Sequence, residues 1–124
     1  MDASKQRRGL GTWGEQCAKD FLRKMGYSII ESNYRSRTGE IDIVAEENGC
    51  LVFVEVKTRR TRRFGIPAES FTVRKEERVG LLAAEYIQER GLEPKDWRVD
   101  LVTVELVGGT RRPIIQLFRY ATNS

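Results

Sequence analysis

Asp42, Glu55 and Lys57 are charged residues set inside two stretches that otherwise read as core, Glu40 to Glu46 and Leu51 to Arg59. Their neighbours are Ile41, Ile43, Val44, Val52, Phe53, Val54 and Val56. A charge in such surroundings is costly unless it is paired or bound to a metal. Two carboxylates and an ammonium so placed suit one chemistry well. Carboxylates held together repel and raise one another's pKa until a cation sits between them. Magnesium takes oxygen ligands, often only one or two carboxylates, with water and substrate phosphate filling the octahedron. A divalent cation there activates water and neutralises charge building on a phosphate. Lys57 could orient the water or stabilise the same developing charge. The constellation points to hydrolysis of a phosphodiester. The plainer alternative is a buried structural ion-pair network, although apolar residues could usually hold such a core at no loss.

The elements around these residues bring them together. Side chains alternate faces along a strand, so Glu55 and Lys57 share a face, with Val52, Val54 and Val56 on the other. Asp42 shares its face with Glu40 and Val44. Asn48-Gly49 is a strong hairpin signal between the two stretches. With those two as the turn residues, Glu47 pairs with Cys50 and Asp42 falls opposite Glu55. Glu40 reads as a solvent-facing charge beside the Thr38-Gly39 turn.

Upstream, a helical pattern starts at Thr12, with Trp13, Cys17, Phe21 and Met25 recurring along one side and Ala18 and Leu22 beside them. Gly26 ends it. Glu15 falls near its first turn, where a carboxylate suits the helix dipole. Tyr27 to Arg35 reads as a strand. Downstream, Arg60 to Ser70 reads as a loop with Gly65 and Pro67. Thr72 is a plausible N-cap for a helix to Arg90, with Val79, Leu82, Ala83, Tyr86 and Ile87 on one face and Gly91 and Pro94 ending it. Trp97 to Leu106 and Pro113 to Tyr120 read as strands around the Gly108-Gly109 turn. Asp100, within an apolar strand, reads as an ion-pair partner for a nearby arginine. The order αβββαββ predicts an α/β fold with a central mixed β-sheet flanked by helices. Residues 1–10 read as a flexible basic tail and residues 11–124 as a single domain, which suits a chain of 124 residues.

Composition narrows the partners. Net charge is +4, and 16 of the 22 basic residues are arginine, the side chain best suited to bidentate phosphate contacts. Arg35, Arg37, Arg59, Arg60, Arg62 and Arg63 cluster at the open ends of the core strands, with Lys75 on the following helix. They read as contacts to a nucleic-acid backbone. Nothing resembles base-edge readout, so recognition of shape rather than sequence is expected. The chain has no histidine, which excludes Ser-His-Asp and Cys-His catalysis and histidine-ligated metals. Cys17 and Cys50 read as reduced core fillers of a cytoplasmic protein. No segment reads as a membrane span or a signal peptide.

A carboxylate followed across a hairpin by Glu-x-Lys, here Asp42 and Glu55-Val56-Lys57, resembles the PD-(D/E)xK nuclease signature, without the proline of its name. Further motifs extend the likeness over roughly residues 9 to 106. They are GxxGExxA at Gly11 to Ala18, NYRxRxGEID at Asn33 to Asp42, LVFVEVKTR at Leu51 to Arg59, FGxP at Phe64 to Pro67, Lys75, and RxDLV at Arg98 to Val102. Together they resemble the YraN family of small bacterial proteins, which is similar to archaeal Holliday-junction resolvases. The resemblance implies a restriction-endonuclease-like core, with Asp42 and Glu55 as ligands of Mg²⁺ or Mn²⁺ and Lys57 as the catalytic lysine. It also implies that Glu15 approaches the metal, and that Lys75 occupies a helix position where related nucleases carry a glutamine or lysine. The expected activity is metal-dependent hydrolysis of DNA, selective for structure, in repair or recombination. A homodimer and a repair or recombination protein as partner are both compatible with it. The competing expectation is a module on the same fold that binds nucleic acid or docks a partner without turnover.

Overall fold

The computed structural model describes residues 3–61, 73–94, 96–108 and 112–120. The elements are α1 (Ala3–Lys24), β1 (Ser28–Arg35), β2 (Glu40–Glu47), β3 (Cys50–Thr61), α2 (Val73–Glu89), β4 (Asp96–Val107) and β5 (Ile114–Tyr120). The five strands form one mixed sheet in the order β1-β2-β3-β4-β5. Only the β3–β4 pair is parallel. A parallel neighbour needs a crossover, and the connection through α2 supplies it. The α/β architecture expected from the element order is the one found.

The alternation of apolar residues explains why both faces are covered. Ala18 and Leu22 of α1 pack on Ile43, Ala45, Val52, Val54, Val102 and Val104. Val79, Leu82, Ala83 and Tyr86 of α2 pack on Leu51, Phe53, Val99 and Leu101 from the opposite side. Tyr86 meets Tyr34 and Phe53 edge-on, with ring centroids 4.9 and 5.7 Å apart, an arrangement that aromatic quadrupoles favour.

Local chemistry sets the boundaries. Gly26, at φ 95, closes α1: the Tyr27 N–H donates to the Leu22 carbonyl at 2.9 Å and the Gly26 N–H to the Arg23 carbonyl at 3.1 Å. This paired closure is the Schellman arrangement, and Gly91 ends α2 in the same way. Asn48 and Gly49 both adopt positive φ, and Glu47 pairs with Cys50 as the sequence predicts.

At its start, α1 departs from expectation. It begins at Ala3 rather than Thr12, so the backbone of residues 3–10, expected as a tail, is helical. Glu15 therefore stands in the body of the helix, and the first turn holds no acidic residue. Compensation of the helix dipole does not account for Glu15. Thr72, the expected N-cap, lies outside the described residues.

Asp100 is fully buried and answers its expectation as an ion-pair partner. Arg98 Nε donates to both its oxygens, at 3.0 and 3.2 Å, and the Tyr27 hydroxyl donates at 2.8 Å. Arg98 and Arg119 reach on to Glu47 at 2.6 and 2.9 Å. This network ties the edge strand β5 and the start of β4 to the far end of β2. Every charge in it has a partner of opposite sign, the condition under which buried charge is tolerated.

Candidate metal centre

The sheet splits between β2 and β3, and the candidate residues gather at the split. β2 stays paired with β1 as far as Arg35↔Glu40. Its ladder with β3 ends at Ile43↔Val54. Strand β3 continues alongside β4 to Thr61↔Val107. Beyond Val54 the backbone of β3 has lost its partner on the β2 side. The Val56 N–H is satisfied instead by Asp42 Oδ2, which accepts it at 2.8 Å. Asp42 holds the fork open and caps it at once.

Side-chain alternation also breaks there. Ile41 packs under α2 while Ile43, two residues on, packs under α1; a regular strand would put both on one face. Opposite Asp42 on β1 lies Asn33, with φ 57, a left-handed conformation that asparagine tolerates better than most residues. The two irregularities sit side by side. Asp42, next to Ile41, lies on the α1 face near Glu15.

A cleft of about 400 Å³ opens at the fork, lined by Leu10, Gly11, Glu15, Asp42, Val56, Lys57 and Thr58. Carboxylate oxygens of Glu15, Glu40 and Asp42 lie within 4.8 Å of one another. Among the described residues, no lysine or arginine forms an ion pair with Glu15 or Asp42. Glu40 has only a long contact, 3.7 Å, to Arg35, which is 76% exposed; such a pair contributes little. Burial, then the nearby Glu55 carboxylate, push the Asp42 carboxyl up to about 7; the Val56 hydrogen bond opposes them, and Glu15 and Glu40 add to the rise. Three carboxylate oxygens this close could hold a divalent cation, and they fit magnesium or manganese by donor type.

Three of the residues singled out by the sequence meet at this cleft. Asp42, Glu15 and Lys57 line one cleft. Glu55 lies close enough to act on Asp42 but does not join the carboxylate group; it forms a 3.9 Å ion pair with Lys57. Glu40, expected as a solvent-facing charge, is exposed, and its carboxylate also lies with those of Glu15 and Asp42. The sequence signal for it was present: Glu40 and Asp42 are two apart on β2. Arg35 and Arg37 are exposed at the end of β1, and Arg59 and Arg60 at the end of β3. The pairings put both strand ends at the same end of the sheet as the fork. Arg62 and Arg63 lie outside the described residues. Lys75 falls within α2, and its side chain is outside the described set. Arg112, which precedes β5, comes to this end as well and escaped the sequence reading.

The match to known proteins is extensive. The model of the uncharacterised protein family UPF0102 matches residues 14–104. The chain belongs to UPF0102. A UPF0102 protein of Symbiobacterium thermophilum is 51% identical over 98 residues, covering 79% of this chain and 83% of the relative. UPF0102 proteins of Dehalococcoides mccartyi and Caldicellulosiruptor saccharolyticus are 46% and 43% identical, over 81% and 79% of this chain and 83% of each relative. UPF0102 is the YraN family to which the sequence motifs pointed. Among the described residues of this member, no helix is long and apolar enough to cross a membrane.

Proposed function

We propose that this UPF0102 protein is a divalent-metal-dependent nuclease that hydrolyses DNA phosphodiester bonds and selects its substrate by shape. The observation that carries the reading is the convergence of the Glu15, Glu40 and Asp42 carboxylates at a cleft that Glu15, Asp42 and Lys57 line. A structural ion-pair network, such as the one around Asp100, matches each charge with its opposite. This cluster does not.

Glu15, Glu40 and Asp42 would hold the cation. When bound, Mg²⁺ or Mn²⁺ supplies charge neutralisation at the scissile phosphate and makes water a better nucleophile near neutral pH. In the proposed hydrolysis the water oxygen would bond to phosphorus as the bond to the sugar oxygen breaks, the attacking water giving up one proton to solvent and the leaving oxygen taking one up from it. The chain's own groups set up that exchange. Lys57 Nζ, 3.9 Å from Glu55, is held by charge but lies beyond hydrogen-bond length, so its N–H groups can turn to a phosphate oxygen. Glu55 keeps that ammonium at the cleft. Val56, through its N–H, fixes the Asp42 carboxylate. Arg35, Arg37, Arg59 and Arg60 offer charge to neighbouring phosphates without reading bases.

The test is cleavage of labelled linear duplex, single-stranded, flap and four-way-junction DNA with Mg²⁺ or Mn²⁺, beside D42A and K57A. Cutting by the native protein that disappears in both variants is the expected result. DNA binding without cutting, unchanged in both variants, would overturn the nuclease reading in favour of a binding module.

A further inference from the structure

Helix α1 carries an expensive residue at the point where it meets the site. Glycine in a helix interior costs about 1 kcal/mol relative to alanine, yet Gly14 stands in the middle of α1 and is buried. Its reason is contact. A Cβ built on Gly14 would lie 2.8 Å from the Cβ of Thr58 and 2.7 Å from its Cγ2, and closer still to Oγ1. Rotating the Thr58 side chain moves its Oγ1 and Cγ2 but not its Cβ. To restore an ordinary carbon–carbon contact, α1 and β3 would have to separate by about 1 Å. Glu15 follows Gly14 directly and Lys57 precedes Thr58, and all but Gly14 line the cleft. The close approach of the Gly14 backbone to the Thr58 side chain therefore sets the spacing between the wall that carries Glu15 and the wall that carries Lys57.

We infer that Gly14 is a positioning residue for the metal site, letting α1 sit on Thr58 so that the Glu15 carboxylate reaches Asp42 and Glu40. The inference rests on the metal site proposed above and acts through Glu15 alone. A ligand displaced by about 1 Å is twice the tolerance of a working site, and loss of a supporting contact typically weakens metal binding 10- to 100-fold.

The experiment is a Mn²⁺ titration of the full chain, read by electron paramagnetic resonance, so no cleavage is needed. G14A and E15Q should each weaken Mn²⁺ at least about tenfold. The double variant G14A/E15Q should bind no worse than E15Q, because the same ligand has already been lost. G14A/T58G removes the collision, should fold if G14A does not, and should recover most of the affinity. Native Mn²⁺ affinity in G14A, a doubled loss in G14A/E15Q, or no recovery in G14A/T58G would overturn the positioning role and leave the metal site standing. A native protein that binds no Mn²⁺ would overturn both.

Discussion

Replacing Asp42 by asparagine should make the metal-free protein more stable, and only above acidic pH. Its carboxyl is held at about 7 against an ordinary 3.8, first by burial and then by Glu55. A folded-state pKa above the unfolded one means that unfolding releases a proton between those values. The ionisation penalty is absent below about pH 4, grows through the window and is complete above about pH 7. Three pH units at about 1.4 kcal/mol each set an upper size of roughly 4 kcal/mol. Asparagine keeps an oxygen to accept the Val56 N–H but carries no charge. In EDTA at pH 8, urea melts should show D42N about 2–4 kcal/mol more stable than the native chain. At pH 4.5 the advantage should fall to about 1 kcal/mol. Mn²⁺ at a thousand times its Kd should reverse the order, since it then adds about 4.1 kcal/mol to a protein that binds it. If D42N is the less stable protein at pH 8 in EDTA, Asp42 is a satisfied structural acceptor and the reasoning is refuted.

Other consequences are open to direct measurement. K57A should lose at least about 100-fold in DNA cleavage rate, as for removal of one transition-state donor, while its Mn²⁺ affinity stays close to native; loss of both together would make Lys57 structural. D100A leaves Arg98 and Arg119 sharing Glu47 as their one carboxylate partner in its network and should cost about 3–5 kcal/mol in urea unfolding, with a cost under about 1 kcal/mol counting against that network. R60A should weaken binding to all DNA shapes alike and reduce the slope of log affinity against log salt by about 0.9. A change confined to one DNA shape or sequence would argue for a reading contact instead.

The hairpin was legible because its rules are local. Asn48-Gly49 dictates the turn, the turn dictates the register, and the register brings Asp42 and Glu55 to neighbouring positions. The helix ends were legible for a similar reason, since Gly26 and Gly91 supply the left-handed residue that closes each one. The start of α1 was not. Polar residues 3–10 lack the apolar repeat that marks a helix, although their backbone continues the one that follows. Glu40 is exposed, as its place beside the turn suggested, but its approach to Glu15 was not legible, because Glu15 stands on a helix that only packing brings to β2.

The sequence by itself determined the kinds of chemistry available: carboxylates and lysine without histidine, arginine-rich strand ends, and two amphipathic helices for a five-stranded sheet. Its motifs also carried the family. Tertiary structure alone decided which carboxylates meet. Glu15 reaches Asp42 because α1 packs on β3 at Gly14 and Thr58, and Asp100 accepts a hydrogen bond from Tyr27, which is 73 residues away along the chain. The physical reason is one of range. Backbone propensity and strand alternation act between near neighbours, whereas the electrostatics of a site depend on distances between side chains from elements that only packing brings together.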